Sequence, residues 1–111
     1  MRSQLVGGMT FGVGMALLEE AVVDLRPGSF VNCDLAGYLV PVQADIPAID
    51  VAILDSFDDK ANELGVKGLG ELGICGAPAA IGNAVFNATG LRVRDFPITL
   101  DKLLPALPQQ M

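Results

Sequence analysis

The sequence predicts an α+β fold with two main helices, a small mixed sheet and a short C-terminal helix. Three observations carry this. Leu5, Met9, Val13, Ala16 and Leu17 recur at helical spacing near the start. Ile81, Ala84, Val85 and Ala88 repeat that spacing in the second half. Between them lie short apolar stretches divided by turn residues, namely Ala21 to Leu25, Phe30 to Cys33 and Ile49 to Leu54.

Each element has its own signal. Ser3 is placed to cap a helix from Gln4 to Glu19. Gly7, Gly8, Gly12 and Gly14 interrupt it, each costing roughly 1 kcal/mol against Ala, which points to close backbone packing against a neighbour or a ligand. Arg26-Pro27-Gly28-Ser29 is a turn between two extended stretches. Pro41 and Pro47 bracket a surface loop, and Ile49 to Leu54 alternates as a strand does. Ser56 to Asn62 is the most polar segment, and its Asp58 and Asp59 read as solvated loop acids rather than metal ligands. Pro78 suits the first turn of the second helix and Gly90 its C-terminal cap. Thr99 caps the last short helix, with Asp101 in its first turn, and Gln109 to Met111 reads as a loose tail.

With 111 residues, 51% of them hydrophobic, the chain is one domain, long enough for a sizeable core. The net charge of −6, with seven scattered Lys and Arg, argues against nucleic acid as a partner. Histidine is absent, so no His-based triad, zinc site or proton shuttle can be assembled from this chain. Cys33 and Cys75 have no metal-ligand spacing and read as two buried free thiols. The run from Leu5 to Leu18 is too short to span a bilayer, and Glu19 and Glu20 follow it where an export signal would need a cleavage site. A buried helix and a cytoplasmic location are the expectation. A chain that opens inside such a helix reads as a piece of something larger.

The stretch Lys67-Gly-Leu-Gly-Glu71-Leu-Gly-Ile-Cys75-Gly-Ala-Pro78 sets four glycines around one carboxylate. Such a loop is either a phosphate cradle or the seat of a positioned acid or base. Gly68-Leu-Gly70-Glu-Leu-Gly73 matches the spacing of a dinucleotide fingerprint, with Asp95 about twenty residues on. The residues before it are polar and broken by Gly65, however, and Glu71 would aim a negative charge at the phosphates. That reading is set aside. Cys75 lies where a helix start could activate a thiol, but no His is available as its base. Glu71 remains. A carboxylate on a bare apolar loop can lose solvation, which raises its pKa toward a working value. The residues alone leave open whether it is a base or an ordinary loop acid.

Gly65-Val-Lys-Gly-Leu-Gly-Glu71-Leu-Gly-Ile-Cys-Gly-Ala-Pro-Ala-Ala-Ile81 resembles the C-terminal part of the molybdopterin-binding subunit of the xanthine dehydrogenase and aldehyde oxidase family. Gln4-Leu-Val-Gly-Gly with Gly12-Val-Gly and Glu19-Glu20 resembles the helix after its Gln-x-x-Gly-Gly pattern. Asn32, Tyr38, Pro41, Asp45 and Pro47, and then Arg94-Asp-Phe-Pro-Ile-Thr99, match two further motifs in the same order. The resemblance covers nearly the whole chain. It implies a fragment of the larger molybdenum-binding domain, with Glu71 as the catalytic base that takes a proton from a hydroxide on the metal. It also implies that Gln4 hydrogen-bonds near the molybdenum-pterin cofactor and that Gly70 brings the loop backbone against it.

The implied reaction oxidises aldehydes or N-heterocycles with water. Electrons pass to iron–sulfur clusters and FAD on partner subunits, and the remainder of the molybdenum subunit is a further partner. The family's subunit is several times longer, and most of its pterin and substrate contacts have no counterpart here. The isolated chain is therefore expected to be inactive. Two rivals stand beside this reading: a non-catalytic remnant that acts by protein association, and a small nucleotide-binding module.

Overall fold

The computed structural model describes residues 1–107; the tail expected at Gln109 to Met111 lies outside them. Helix α1 spans Arg2–Leu17. A hairpin of two-residue strands follows, β1 at Val23–Asp24 and β2 at Ser29–Phe30. A long irregular segment then leads to α2 at Leu72–Cys75 and α3 at Ala77–Thr89. Helix α4 at Leu100–Leu103 runs into one 3-10 turn at Leu104–Ala106.

Both main helices and the short C-terminal one are where local chemistry puts them. Pro78 lies in the first turn of α3, and Gly90 closes it in the left-handed region at φ 72°, its N–H donating to Phe86 O. Thr99 is the N-cap of α4. Helix α1 starts two residues earlier than expected. Met1 rather than Ser3 is its N-cap, with no side-chain cap, and Glu19 and Glu20 fall beyond its end.

The sheet is smaller than expected and antiparallel rather than mixed, with Val23 opposite Phe30 and Asp24 opposite Ser29. Gly28 takes φ 72° in the connecting turn, and Asp24 binds the Arg26 guanidinium across it. Ile49 to Leu54 keeps its alternation in part, Ile49 and Val51 being the more covered residues. It forms no strand, because a ladder needs a partner and none lies beside it among the described residues. The four-residue helix α2, inside the glycine stretch, was not legible from periodicity.

Among the described residues a sizeable core does not form. Ala16 (0% exposed) and Ile98 (4%) are the buried hydrophobic side chains, and the Ile98 N–H donates to Ala16 O at 2.6 Å. That bond pins the closing Phe96-Pro97-Ile98 segment onto the end of α1. Leu25 and Leu54 stand 89% and 88% exposed. The accessible surface is 8705 Å², against about 5,800 Å² for a compact protein of this mass. The radius of gyration is 18.2 Å, against about 13 Å for a compact chain of this length. Both thiols are free, but Cys33 and Cys75 are exposed, contrary to the burial expected. Asp58 and Asp59 are loop acids as read: one accepts the Lys60 N–H, the other lies 3.4 Å from its ammonium.

The middle of the chain is held by side chains in place of a sheet. Asn32 Nδ2 donates to Glu20 O at 2.6 Å while its Oδ1 accepts from Val22 N, fastening the start of the hairpin. Asp45 Oδ2 accepts from Val42 N. Tyr38 OH donates to Glu19 Oε2 at 2.9 Å, and Glu19 Oε1 lies against Gly14, where a Cβ would collide with it.

Two expectations follow. Gly8→Ala would set a Cβ 2.9 Å from the Gly73 backbone, a steric overlap that should destabilise the chain by roughly 1–3 kcal/mol. Gly7→Ala meets nothing within 4 Å and should gain up to about 1 kcal/mol of helix stability; urea unfolding followed by circular dichroism compares the two. The second concerns Tyr38. The hydrogen bond it donates to Glu19, with burial and the carboxylate's charge adding, raises its pKa above the ordinary value. The stability this contributes is present below the unfolded tyrosine pKa of about 10 and is lost as pH rises through the raised folded value. Tyrosinate absorbance reports the one tyrosine directly, and Glu19→Gln should lower its midpoint.

Candidate functional site

The site is built on a seam where backbone meets backbone. Helix α1 crosses the α2–α3 corner with Gly8 against Gly73. A Cβ on Gly73 would stand 2.8 Å from Leu5 O. One turn on, a Cβ on Gly12 would strike Ala77 Cβ and lie 3.2 Å from Pro78 Cδ. Only glycine permits this approach. The seam divides the surface of α1: on one side lies a cleft of about 380 Å³ bordered by Ser3, Gln4, Gly7, Gly8, Phe11, Gly70, Glu71 and Ile74.

All three residues singled out from the sequence, Gln4, Gly70 and Glu71, line this one cleft although they come from opposite halves of the chain. Gln4 Nε2 donates to Gly70 O at 2.8 Å. The glutamine therefore has a task that motif matching did not show: it ties α1 to the loop that carries Glu71. Gly70 faces open space, and nothing among the described residues would obstruct a Cβ there. Glu71 is the N-cap residue of α2. Its carbonyl accepts from Ile74 N at 3.2 Å and from Cys75 Sγ at 3.3 Å. Its carboxylate is exposed, so the loss of solvation expected of the loop is not supplied by this chain's own residues.

Sequence reasoning singled out the glycines of α1, Gly7 among them, but not Phe11 or Ile74, which also border the cleft. Gly7 and Phe11 follow Gln4 by three and seven residues on a helix, a spacing that places them on one face and was there to be read. Phe11 is 61% exposed at the rim of the cleft.

The nucleotide-binding reading finds no support. No strand leads directly into Gly68, α2 has four residues, and Lys67 Nζ donates to Ser56 Oγ at 2.7 Å. Among the described residues no group of three His, Cys, Asp or Glu side chains could hold a metal ion, and no helix is long and apolar enough to cross a membrane. A hollow of about 420 Å³ beside Phe30, Cys33 and Leu35 is lined mainly by apolar atoms. The Asp34 carboxylate at its edge is taken up by the N–H groups of Ala36 and Gly37.

The cleft joins a glycine-lined helix to a carboxylate loop, and comparison with known proteins gives its family. Residues 1–47 match the family described as molybdopterin cofactor-binding domain. The chain is 62% identical over 107 residues to the aldehyde oxidoreductase molybdenum-binding subunit PaoC of Escherichia coli strain K12, covering 96% of this chain and 15% of the relative. It is 37% identical over 100 residues to the putative xanthine dehydrogenase molybdenum-binding subunit XdhA of the same organism, covering 90% of this chain and 13% of that one. The crystal structure of quinoline 2-oxidoreductase from Pseudomonas putida 86 superposes with a TM-score of 0.82 at 30% identity, over 95% of this chain and 14% of that one.

The chain belongs to the xanthine dehydrogenase and aldehyde oxidase family, of whose molybdenum-binding subunits it matches a short stretch. It spans about 15% of the length of the curated relative PaoC.

The Gln4 brace is open to test. Gln4→Ala removes one donor from Gly70 O, a loss of about 0.5–1.5 kcal/mol. Amide exchange over residues 68–73 should quicken by a similar energy while exchange in the middle of α3 stays as it is.

Proposed function

We propose that the chain is the C-terminal, base-bearing part of a molybdenum hydroxylase acting on aldehydes or N-heterocycles, with Glu71 as the catalytic base. The observation that carries this is the convergence of Gln4 with Gly70, 66 residues on, and its neighbour Glu71 on one cleft whose glycines leave open space. The residues fit a molybdenum-pterin group. No metal-ligating cluster is present among the described residues, so the chain suits a metal that arrives with ligands of its own. Gly7 and Gly70 leave space that no neighbour within the chain requires. When bound, that group supplies the two-electron redox chemistry.

The rest falls to this chain's own side chains. The Glu71 carboxylate accepts the proton released as water becomes the attacking nucleophile. Gln4 holds the Glu71 loop against α1 through Gly70 O, and the bare faces of Gly7 and Gly70 admit a bulky planar group. Desolvation of Glu71, which this chain does not provide, comes from the remainder of the molybdenum subunit and the seated cofactor. Electrons leave through iron–sulfur and FAD partners, since two cysteines far apart cannot ligate a cluster. The isolated chain is inactive in this reading. The large exposed apolar surface also supports the second reading, a non-catalytic remnant that acts only by association.

The test is Glu71→Gln in the assembled, cofactor-loaded subunit. Turnover of aldehyde should fall by roughly 10²- to 10⁴-fold, the range for loss of a general base, with molybdenum and pterin content unchanged. Unaltered turnover overturns the assignment of Glu71.

A further inference from the structure

We propose that the apolar groove on the other side of the glycine seam is the docking surface for an apolar segment of the remainder of a molybdenum-binding subunit. The proposal rests on the reading of this chain as part of such a subunit, and it adds where the two parts join. The groove has a volume of about 460 Å³. Leu5, Met9 and Val13 form one wall at helical spacing; Leu72, Ala77 and Ile81 form the other. Leu72 is 61% exposed and Ala80 is exposed on α3.

Three observations decide the occupant. First, α1 carries apolar side chains all round, with Leu5, Val6, Met9, Phe11, Val13 and Met15 in successive turns. A helix of that kind is stable when it is enclosed by other protein. Second, the surface exceeds that of a compact chain of this mass by close to 3,000 Å². That is at least what one side contributes to an obligate interface. Third, the chain is 15% of the length of the relative it matches over 96% of itself, and its fold superposes on a 14% portion of a larger chain. A second copy fits less well, because a concave groove cannot fill its own twin. No Lys or Arg borders the groove and the net charge is −6, so a membrane surface is disfavoured too.

Docking here would have a consequence across the seam. Leu72, Gly73 and Ala77 belong to the corner that holds Glu71, so a segment pressed into the groove fixes the carboxylate loop from behind.

The experiment is co-expression of the tagged chain with E. coli PaoC lacking the matched 107-residue stretch. The shortened subunit should be recovered with the chain. Met9→Asp and Ala80→Glu should each cut that recovery at least about tenfold, as a charge buried without a partner would, while Lys60→Ala and Glu71→Gln leave it unchanged. Ala80→Cys, combined with Cys33→Ser and Cys75→Ser because both native thiols are exposed, guards against misfolding, since residue 80 is exposed and its labelling rate reports access. That rate should drop at least about tenfold on complex formation. The proposal is overturned by no recovery, by recovery indifferent to both groove charges, by an unprotected Cys at position 80, or by self-association of the chain that Met9→Asp abolishes. Recovery is independent of turnover. Groove-dependent docking with turnover unaltered by Glu71→Gln would reject the catalytic reading alone, and groove-independent docking would reject this one alone.

Discussion

The contact on which everything else depends is the one between Gly8 of α1 and Gly73 at the α2–α3 corner. Backbone atoms approach there to distances that no side chain tolerates, and Gly12 against Ala77 and Pro78 continues the line. Dispersion attraction is weak per atom pair and grows with the number of atoms brought close. A seam of bare backbone therefore lets α1 pack closely against the α2–α3 corner. The glycines that weaken α1 as an isolated helix are what allow it to be a packed one.

From that seam follow both the cleft and the groove. Setting the α2–α3 corner across α1 brings the Glu71 loop against the Gln4 face, and a single hydrogen bond from the Gln4 amide to Gly70 O fastens it. On the opposite side the same crossing leaves Leu5, Met9 and Val13 facing Leu72, Ala77 and Ile81 with nothing between them. The glycines themselves divide into two groups. Gly8, Gly12, Gly14 and Gly73 are demanded by atoms within the chain, whereas Gly7 and Gly70 are not and border the cleft. A motif search treats the two groups alike.

The residues that carried the family resemblance differ in kind once placed. Asn32, Tyr38 and Asp45 act on the fold. Asn32 bridges Glu20 and Val22, Tyr38 binds Glu19 beside Gly14, and Asp45 closes a turn on Val42. The Phe96-Pro97-Ile98 segment likewise covers the end of α1. Their work is to brace a long segment that has almost no sheet. Gln4 and Glu71 stand apart because their side chains reach a cleft.

The sequence by itself determined what depends on near neighbours in the chain. The second helix with its Pro78 start and Gly90 end, the Gly28 turn and the Thr99 cap were legible because proline, glycine and hydroxyl side chains act within a few residues. The glycine-flanked Glu71 was legible for the same reason. What depends on distant neighbours was not. Among the described residues Ile49 to Leu54 alternates like a strand yet has no partner to make it one, the helix expected to be buried is mostly half-buried, and the sizeable core expected from apolar content does not form. Only the tertiary structure decided that Gln4 and Glu71 share a cleft, because the approach that joins them is set by the space left at Gly8 and Gly73, and no periodicity in either segment encodes the other's position.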